Sequence, residues 1–312
     1  MNQPALRLPR PAPAARARHP RLSKILFDLT KVRISAMSSL TAMMGYVAFA
    51  RRLEWGLVTA VLGTVLFAMG ASALNEWQER GLDALMERTR NRPLPAGDLS
   101  PVGALALALA LGAAGCGVLL LAHGWTTAML GLLAMVWYNG VYTPLKRVTA
   151  FAAFPGSLIG ALPPAIGWTA ASGSVADPAM LALCFVFFIW QVPHFWLLLL
   201  VYGADYERAG FPTLSRRFTP PQLARLTFTW MCATAASCII VPLFGGTTSL
   251  PALLGLVTAA SWLVWQATHL LGPGVKQGAR PPFRRAFMHI NLFALMLMLA
   301  VVLDPLFALW AR

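Results

Sequence analysis

The amino-acid sequence predicts an all-α integral membrane protein. Of its 312 residues, 58% are hydrophobic and only 12% are charged, whereas about a quarter of the residues in a soluble domain are charged. Apolar runs of about 20 residues, the length that a helix needs to cross a bilayer, recur along the chain. Basic residues collect in every second connection between these runs, which is typical of a multi-pass membrane protein.

About nine apolar runs are long enough to be membrane-spanning helices. The first is short, and the fifth contains Pro155, Pro163 and Pro164, so we expect that helix to bend or break. The expected spans cover residues 34–50, 55–74, 101–121, 125–143, 150–171, 179–202, 224–243, 251–270 and 286–306.

The basic residues predict the orientation of these spans. With a cytoplasmic N-terminus, all but three of the 25 Lys and Arg residues lie on the cytoplasmic side, as the positive-inside rule requires. The net charge of +14 then reflects topology and attraction to anionic lipid in the bilayer. We expect no nucleic-acid partner, because no soluble basic domain is present to bind one.

The beginning of the chain differs in composition from the rest. Residues 1–23 are rich in Pro, Ala and Arg and are predicted to form a disordered basic cytoplasmic tail; residues 24–312 then form the membrane domain. A cleaved organelle transit peptide is the alternative, although the tail has five prolines and no serine before Ser23.

One stretch beside the second span concentrates the acidic residues. Asn75, Glu79 and Asp83 are four residues apart, so on a helix an amide and two carboxylates share one face. Such oxygen ligands suit a hard divalent cation. Only 11 acidic residues occur in the chain, and Glu76 and Glu87 also fall in this stretch. A solvated helix with unrelated charges is the alternative.

Other cytoplasmic connections supply complementary groups. Asp205, with Glu207 nearby, offers a second acidic cluster for a metal. A diphosphate ester can ionise if a metal and fixed cations neutralise the departing pyrophosphate. Anchoring at the membrane interface is the alternative for each basic residue. The candidate phosphate-binding residues are Lys146, Arg88, Arg90 and Arg92, arginine binding with two hydrogen bonds and lysine as a point charge.

Six ordered motifs between about residues 24 and 225 resemble those of the protoheme IX farnesyltransferase (heme O synthase) family, within the UbiA superfamily of intramembrane prenyltransferases. The motifs are LTKVRIS (29–35), NEWQERGLDALMERTRNRPL (75–94), YNGVYTPLKR (138–147), GALPPAIGWTAASG (160–173), WQVPHFWLLL (190–199) and DYERAGFPTLS (205–215).

The resemblance implies a fold and a reaction. It implies nine transmembrane helices around a central cavity, and two acidic motifs that bind Mg²⁺ (or Mn²⁺) and prenyl diphosphate. The implied reaction transfers farnesyl from farnesyl diphosphate to a vinyl group of heme B with addition of water, giving heme O and diphosphate. The implied location is the bacterial inner membrane, with the mitochondrial inner membrane as the alternative. Heme A synthase or a terminal oxidase in assembly are the implied partners.

The expected site residues come from the spacing of the polar residues and from the resemblance to the family. Asn75, Glu79, Asp83 and Asp205 are the expected metal ligands, and Lys146 and His194 join them as catalytic residues. The residues expected to bind diphosphate are Arg88, Arg90, Arg92, Lys31, Arg33 and Arg147. Those expected to bind heme or the isoprenoid chain are His194, Gln191, Tyr142, Trp190 and Phe195; helix packing is the alternative for the aromatic residues.

His194 is an ionisable residue at membrane depth, which favours a functional role. It could ligate the heme iron, or it could act as a base during water addition. A histidine that packs between helices and hydrogen-bonds across the bundle is the alternative.

Three positions depart from the family pattern. Gly81 stands where most bacterial members have a further Asp, Ala152 replaces a usual Asn, and Thr213 replaces a usual Met. These departures bear on metal affinity and substrate fit.

Two other functions also stay open: a UbiA-type enzyme that prenylates an aromatic acid or quinone precursor, and a transporter or non-catalytic assembly protein. The PHF and LPPAIGW segments favour the heme branch over the first, and release of pyrophosphate would exclude the second.

Overall fold

The computed structural model describes residues 21–172, 174–276 and 282–310. Within these ranges the secondary structure is entirely helical, which confirms the expected all-α fold. The expected tail, residues 1–23, lies outside the described residues except for its last three. The α-helices are α1 (Leu22–Leu29), α2 (Val32–Ala50), α3 (Trp55–Asp83), α4 (Pro101–His123), α5 (Trp125–Val136), α6 (Thr143–Leu145), α7 (Ala153–Gly156), α8 (Leu158–Ser172), α9 (Pro178–Val201), α10 (Gly203–Arg208), α11 (Pro220–Ser237), α12 (Ile240–Leu243), α13 (Leu250–Thr268), α14 (Pro273–Lys276) and α15 (Phe283–Trp310).

Every expected span falls on helix. In the part of the chain that the structure describes, seven helical segments are long and apolar enough to cross a membrane. The two other expected spans are residues 34–50, which lie in the 19-residue α2, and residues 125–143. In the latter, α5 continues into a π-helical turn over Trp137–Tyr142 and then into α6, so no single α-helix there reaches the length of a span.

The proline-rich fifth span is broken, as predicted. Residues Ala150–Ala152 form a 3₁₀ turn, α7 follows for one turn, and α8 begins after Ser157. The hydroxyl of Ser157 donates to the carbonyl of Ala153 at 2.7 Å, which satisfies one backbone group at the break.

Helices α2 and α8 touch through their backbones. A methyl group added at Gly167 would overlap the carbonyl oxygen of Ala42, and one added at Gly45 would overlap that of Pro164. Small residues permit this close approach, as is usual between membrane helices. The contact fixes α2, whose first turn adjoins the site described below.

A buried carboxylate connects three helices at the end of the bundle where α2 terminates. The side chain of Asp304 on α15 is fully buried and pairs with Arg51, which follows the last residue of α2. Its other oxygen accepts from the backbone amides of Thr248 and Ser249 at 3.1 and 2.8 Å. Asp304 therefore joins α2 and α15 to the beginning of α13.

Candidate active site

The first acidic motif lies on the last two turns of α3. Asn75, Glu79 and Asp83 are 2%, 4% and 2% exposed, so the face that the spacing predicts is turned into the bundle. A helix that carries polar residues this deep needs partners for them. Those partners come from distant parts of the chain.

Asn75 is held from both sides. Its amide nitrogen donates to Glu79 Oε2 and to Thr143 Oγ1, both at 3.0 Å, and its oxygen accepts from Lys31 Nζ at 2.9 Å. Lys31 occupies the break between α1 and α2 with φ 47°, in the left-handed region. Loss of hydration, together with neighbouring cations, lowers the pKa of Lys31 to about 7.

Glu79 is paired with Lys146. The ammonium group lies 2.6 Å from Glu79 Oε2 and 5.4 Å from the centre of the Tyr142 ring. Burial alone would lower the pKa of Lys146, but the attraction of Glu79 outweighs it and the pKa is raised. Arg147 Nε is 4.0 Å from Glu79 Oε1, and that oxygen is buried without a hydrogen-bond partner.

Asp83 is paired with Arg92, at 2.8 Å between Oδ2 and Nη1. The hydroxyl of Thr89 donates to the Asp83 carbonyl at 2.8 Å, so the chain between them folds back onto the end of α3. Burial opposes the charge of Arg92, but Asp83 outweighs it and raises the pKa of the guanidinium.

The second acidic motif docks onto this loop. Asp205 on α10 accepts from the backbone amide of Arg88 at 3.3 Å and pairs with Arg208. These contacts outweigh desolvation and hold the pKa of Asp205 below its usual value. Tyr206 packs with Met86 in a small apolar cluster. The two acidic motifs therefore share one end of the bundle.

Glu207, expected near Asp205 in the second acidic cluster, has hydrogen bonds within its own loop. Its Oε1 accepts from Thr213 Oγ1 at 2.8 Å and from Ser215 Oγ at 2.7 Å. The hydroxyl of Thr213 thus gives Glu207 a partner in this loop.

The acidic side chains do not form a metal cluster in this structure. Within residues 21–172, 174–276 and 282–310, no three His, Cys, Asp or Glu side chains gather closely enough to hold a metal ion. The physical reason is that the three expected carboxylate ligands are each paired with a cation. The pairs are Glu79 with Lys146, Asp83 with Arg92, and Asp205 with Arg208.

Three of the other expected diphosphate-binding residues lie at the periphery. Arg33 is exposed, with its guanidinium 5.9 Å from the Phe27 ring. The Arg88 guanidinium lies over the Tyr202 ring at 4.7 Å, and Arg90 is exposed. Arg147 instead lies at α3, where it donates to the carbonyl of Gln78 at 2.9 Å. The structure thus brings four basic residues to α3 and leaves Arg33, Arg88 and Arg90 outside. The four are Lys31, Arg92, Lys146 and Arg147.

The missing carboxylate at Gly81 does not alter the buried face. Gly81 is exposed, and a Cβ atom built there meets nothing within 4 Å. It lies two residues after Glu79 and two residues before Asp83, and two residues correspond to a rotation of about 200° around a helix. A carboxylate at this position would point away from them.

Glu76 is a buried acidic residue that the spacing argument did not select. Its side chain is fully buried, one oxygen accepts from the backbone amide of Leu94 at 3.4 Å, and the other has no partner. Its position directly beside Asn75, in a chain with only 11 acidic residues, was the available signal. Thr143 was also missed, because a threonine in a loop motif carries no such signal.

Three aromatic rings stack beside Lys146, which lies 5.4 Å from the centre of the Tyr142 ring. Tyr138 and Tyr142 stack at 5.9 Å between ring centres, and Tyr142 stacks on Phe195 of α9 at 4.7 Å and 10°. The Phe195 ring is 6.0 Å from that of His194. Expected acceptor-binding residues are therefore adjacent to the acidic site.

His194 lies between aromatic rings, 4.6 Å from Trp190 and 5.1 Å from Phe287. Its Nδ1 is buried without a hydrogen-bond partner, and its polar neighbour is Asn291 of α15. Trp190 donates to the Ile290 carbonyl at 2.9 Å, so it joins α9 to α15.

Gln191 is buried and packs against Gly160 of α8, where an added Cβ atom would lie 2.6 Å from its Oε1. It therefore contributes to the contact between α8 and α9.

Comparison with known proteins places the chain in a family. The UbiA prenyltransferase family model matches residues 36–292. The chain is 44% identical over 221 residues to a protoheme IX farnesyltransferase of Geobacter sulfurreducens, covering 70% of this chain and 80% of the relative. It is 33% identical over 279 residues to a protoheme IX farnesyltransferase of Oleidesulfovibrio alaskensis, covering 89% of this chain and 95% of the relative.

Solved structures share the fold. A digeranylgeranylglyceryl phosphate synthase structure superimposes with a TM-score of 0.72 at 11% identity, over 91% of this chain and 98% of the other. A UbiA homolog from Archaeoglobus fulgidus, bound to GPP and Mg²⁺, gives 0.62 at 15% identity over 89% and 99%. The sequence match over most of the chain and this shared helical architecture agree, and the chain belongs to the UbiA prenyltransferase family.

Proposed function

We propose that this chain transfers the farnesyl group of farnesyl diphosphate to a vinyl group of heme B, with addition of water, giving heme O and diphosphate. The observation that carries the proposal is the buried face of Asn75, Glu79 and Asp83 surrounded by cations. It occurs in a chain whose full-length relatives are protoheme IX farnesyltransferases.

The donor set fits a hard divalent cation such as Mg²⁺ or Mn²⁺. Asn75, Glu79 and Asp83 offer oxygen atoms on one face, and Glu79 Oε1 is already buried without a partner. Asp205 would contribute from the second motif. A bound metal would neutralise charge on the departing diphosphate. The similar A. fulgidus structure contains Mg²⁺ together with its diphosphate ligand.

The basic residues of the site would bind the diphosphate itself. As the C1–O bond breaks, negative charge moves to pyrophosphate, and Arg92 and Lys146 provide fixed positive charge there. A bound diphosphate also favours the protonated form of Lys31. The allylic cation would form beside the stacked rings of Tyr142 and Phe195. Aromatic faces attract cations and, unlike water, do not react with them.

The acceptor would approach from the side of His194. The terminal vinyl carbon attacks C1 of the farnesyl group, water adds to the other vinyl carbon, and one proton is released. His194 has an unpartnered ring nitrogen that could ligate the heme iron or accept this proton. Its aromatic neighbours, Trp190 and Phe287, suit a flat porphyrin.

We also propose the setting of this reaction. The positive-inside pattern favours a cytoplasmic N-terminus in a bacterial inner membrane, with the acidic site at the cytoplasmic end. Heme O would pass from there to heme A synthase or to a terminal oxidase in assembly.

The decisive experiment uses membranes that contain the chain, incubated with heme B, farnesyl diphosphate and Mg²⁺, with extracted hemes analysed by mass spectrometry. We expect hydroxyethylfarnesyl heme and an equal amount of pyrophosphate, and loss of both with a chelator. Asp83→Asn keeps the shape of the side chain but removes its charge, so turnover should fall by about 100-fold or more.

Glu87→Gln is the matched control, because its side chain is 67% exposed. Pyrophosphate release without prenylated heme would point to another acceptor. Activity of Asp83→Asn equal to that of Glu87→Gln, at equal expression, would contradict the role of the α3 face.

A further inference from the structure

Gly156 ends α7, at the break in the fifth span, and the ring of Tyr142 lies directly against its backbone. A Cβ atom built at Gly156 would overlap Tyr142 Cδ2, and it would lie 2.9 Å from Tyr142 Cε2 and 3.3 Å from Phe195 Cε2. Non-bonded carbon atoms are normally about 3.5–4.0 Å apart. A residue with a side chain at this position would therefore displace the Tyr142 ring.

The Tyr142 ring is buried and has neighbours on both faces. It stacks on Phe195 of α9 at 4.7 Å between ring centres and an angle of 10°. It also stacks on Tyr138 at 5.9 Å and 16°. Displacement from Gly156 would disrupt this stacking, because Gly156 contacts the edge of the ring where it meets Phe195.

A hydrogen bond holds α7 and the π-helical turn together at this contact. Trp137 begins the π-helical turn that ends at Tyr142. Its Nε1 donates to the carbonyl of Pro155, the residue before Gly156, at 2.8 Å. The two segments cannot move apart to admit a side chain at Gly156 unless this bond breaks.

The position of the Tyr142 ring matters for the proposed reaction. The Lys146 ammonium group is 5.4 Å from the ring centre, so the ring lies beside a cation that is expected to bind the diphosphate. The substrate carbon C1 is bonded to that diphosphate. When the C1–O bond breaks, its electron pair leaves with pyrophosphate and positive charge remains on the allylic carbons. An aromatic ring stabilises a cation within about 6 Å of its centre.

We propose that Gly156 is a positioning residue: because it has no side chain, the Tyr142 ring can lie beside Lys146 and stabilise the allylic cation. Gly156 does not touch the substrate. The inference rests on the proposed function in one respect, that a prenyl diphosphate ionises at this site, and it does not depend on heme as the acceptor.

Three variants and one control separate ring position from packing. Gly156→Ala adds the methyl group that displaces the ring, and Tyr142→Leu removes the ring. The double variant tests whether the two residues act together, since residues that act through one contact have non-additive effects. Gly140→Ala is the matched control: it adds a methyl group in the same π-helical turn, in ordinary contact with Val136 Cγ1 at 3.9 Å.

The measurement is the rate of pyrophosphate release in a single turnover, with the folded full-length chain in excess over farnesyl diphosphate and with Mg²⁺ and heme B present. A single turnover reports the chemical step and not product release. Calorimetric titration with farnesyl thiodiphosphate, an unreactive analogue, gives the affinity separately.

We expect Gly156→Ala to lower the rate by about tenfold, the loss of one cation–π interaction in a desolvated site. Its affinity for the analogue should equal that of the wild type, because the basic residues of α3 and its partners are unchanged. The double variant should have the rate of Tyr142→Leu, and Gly140→Ala should match the wild type in both measurements.

A wild-type rate in Gly156→Ala would overturn the inference. Equal losses of rate and analogue affinity would also overturn it, and so would losses that multiply in the double variant, because both results indicate packing alone. If Gly156→Ala does not fold, the other two variants decide. A wild-type rate in Tyr142→Leu then overturns the inference, and equal reduced rates in Tyr142→Leu and the double variant support it.

Failure of the proposed function is distinguishable from failure of this inference. A wild-type chain that releases pyrophosphate but makes no prenylated heme contradicts the acceptor, while the rates of the variants still decide the role of Gly156. A wild-type chain that releases no pyrophosphate overturns both.

Discussion

At the residue scale, the site is a set of ion pairs and hydrogen bonds between separate parts of the chain. Lys31 reaches Asn75 across 44 residues, and Lys146 reaches Glu79 across 67. The buried carboxylates of Glu79 and Asp83 are each paired with a cation in the absence of substrate, as burial of a charge requires. The same cations are then available for phosphate oxygens when the carboxylates bind a metal.

The role of His194 in heme binding can be tested separately from the role of the acidic face of α3. We expect His194→Phe, which keeps an aromatic ring between Trp190 and Phe287, to raise KM for heme by about tenfold. Affinity for farnesyl thiodiphosphate should not change, because His194 contacts none of the α3 carboxylates. Steady-state kinetics with each substrate varied in turn would measure both; equal effects on the two substrates would contradict a role in heme binding.

Spacing predicts part of this site and cannot predict the rest. Asn75, Glu79 and Asp83 follow from one helical period, and their burial agrees with it. Which of several arginines approaches them does not follow. Arg88, Arg90 and Arg92 alternate in one loop, and only the fold of that loop onto Asp83 and Glu76 of α3 selects Arg92.

At the element scale, apolar length locates every span but does not describe its interior. The prolines of the fifth span predict its break, because proline removes a backbone donor. The π-helical turn at Trp137–Tyr142 has no such signal. It is fixed by contacts with α3, where Gln78 donates to the Asn139 carbonyl at 3.0 Å and Asn75 donates to Thr143. π-Helical turns are frequently found at functional sites.

The contact between α2 and α8 predicts a large effect of a small substitution. Gly167→Ala would place a methyl group against the Ala42 carbonyl, and we expect a loss of about 1–3 kcal/mol from overpacking. Gly117→Ala on α4 is the control, since a Cβ atom there meets nothing within 4 Å. Thermal unfolding in detergent would measure both; equal midpoints would contradict backbone contact between α2 and α8.

At the scale of the whole molecule, the two ends of the bundle are specialised. The end with Asn75 and Asp205 contains the buried acid–base pairs of the site. The opposite end is closed by Asp304, which pairs with Arg51 and accepts from two backbone amides. The end with Asn75 and Asp205 is expected to rearrange when substrate binds. The end with Asp304 holds α2, α13 and α15 in place.

Substitutions at the closed end should therefore affect stability and leave the chemistry intact. We expect Asp304→Ala to cost about 1–3 kcal/mol, because it leaves the buried backbone amide of Ser249 without an acceptor; Arg51, whose side chain is 33% exposed, can still be hydrated. Arg52→Gln, whose side chain is 75% exposed, should cost less than about 1 kcal/mol. Thermal unfolding measures these losses, and turnover per folded molecule of Asp304→Ala should stay at the wild-type value. A fall in that turnover would show that the two ends are coupled.

The assignment of the ends to the two sides of the membrane is the last step of the argument, because it depends on charge and not on packing. Leu53, 75% exposed in the connection from α2 to α3, should face the periplasm, and the exposed Arg216 after α10 should face the cytoplasm. In intact bacterial cells, a membrane-impermeant maleimide should label Leu53→Cys. It should label Arg216→Cys only after permeabilisation, with the four native cysteines replaced in both variants. The reverse pattern would put the acidic site on the outer face, where cytoplasmic farnesyl diphosphate could not reach it.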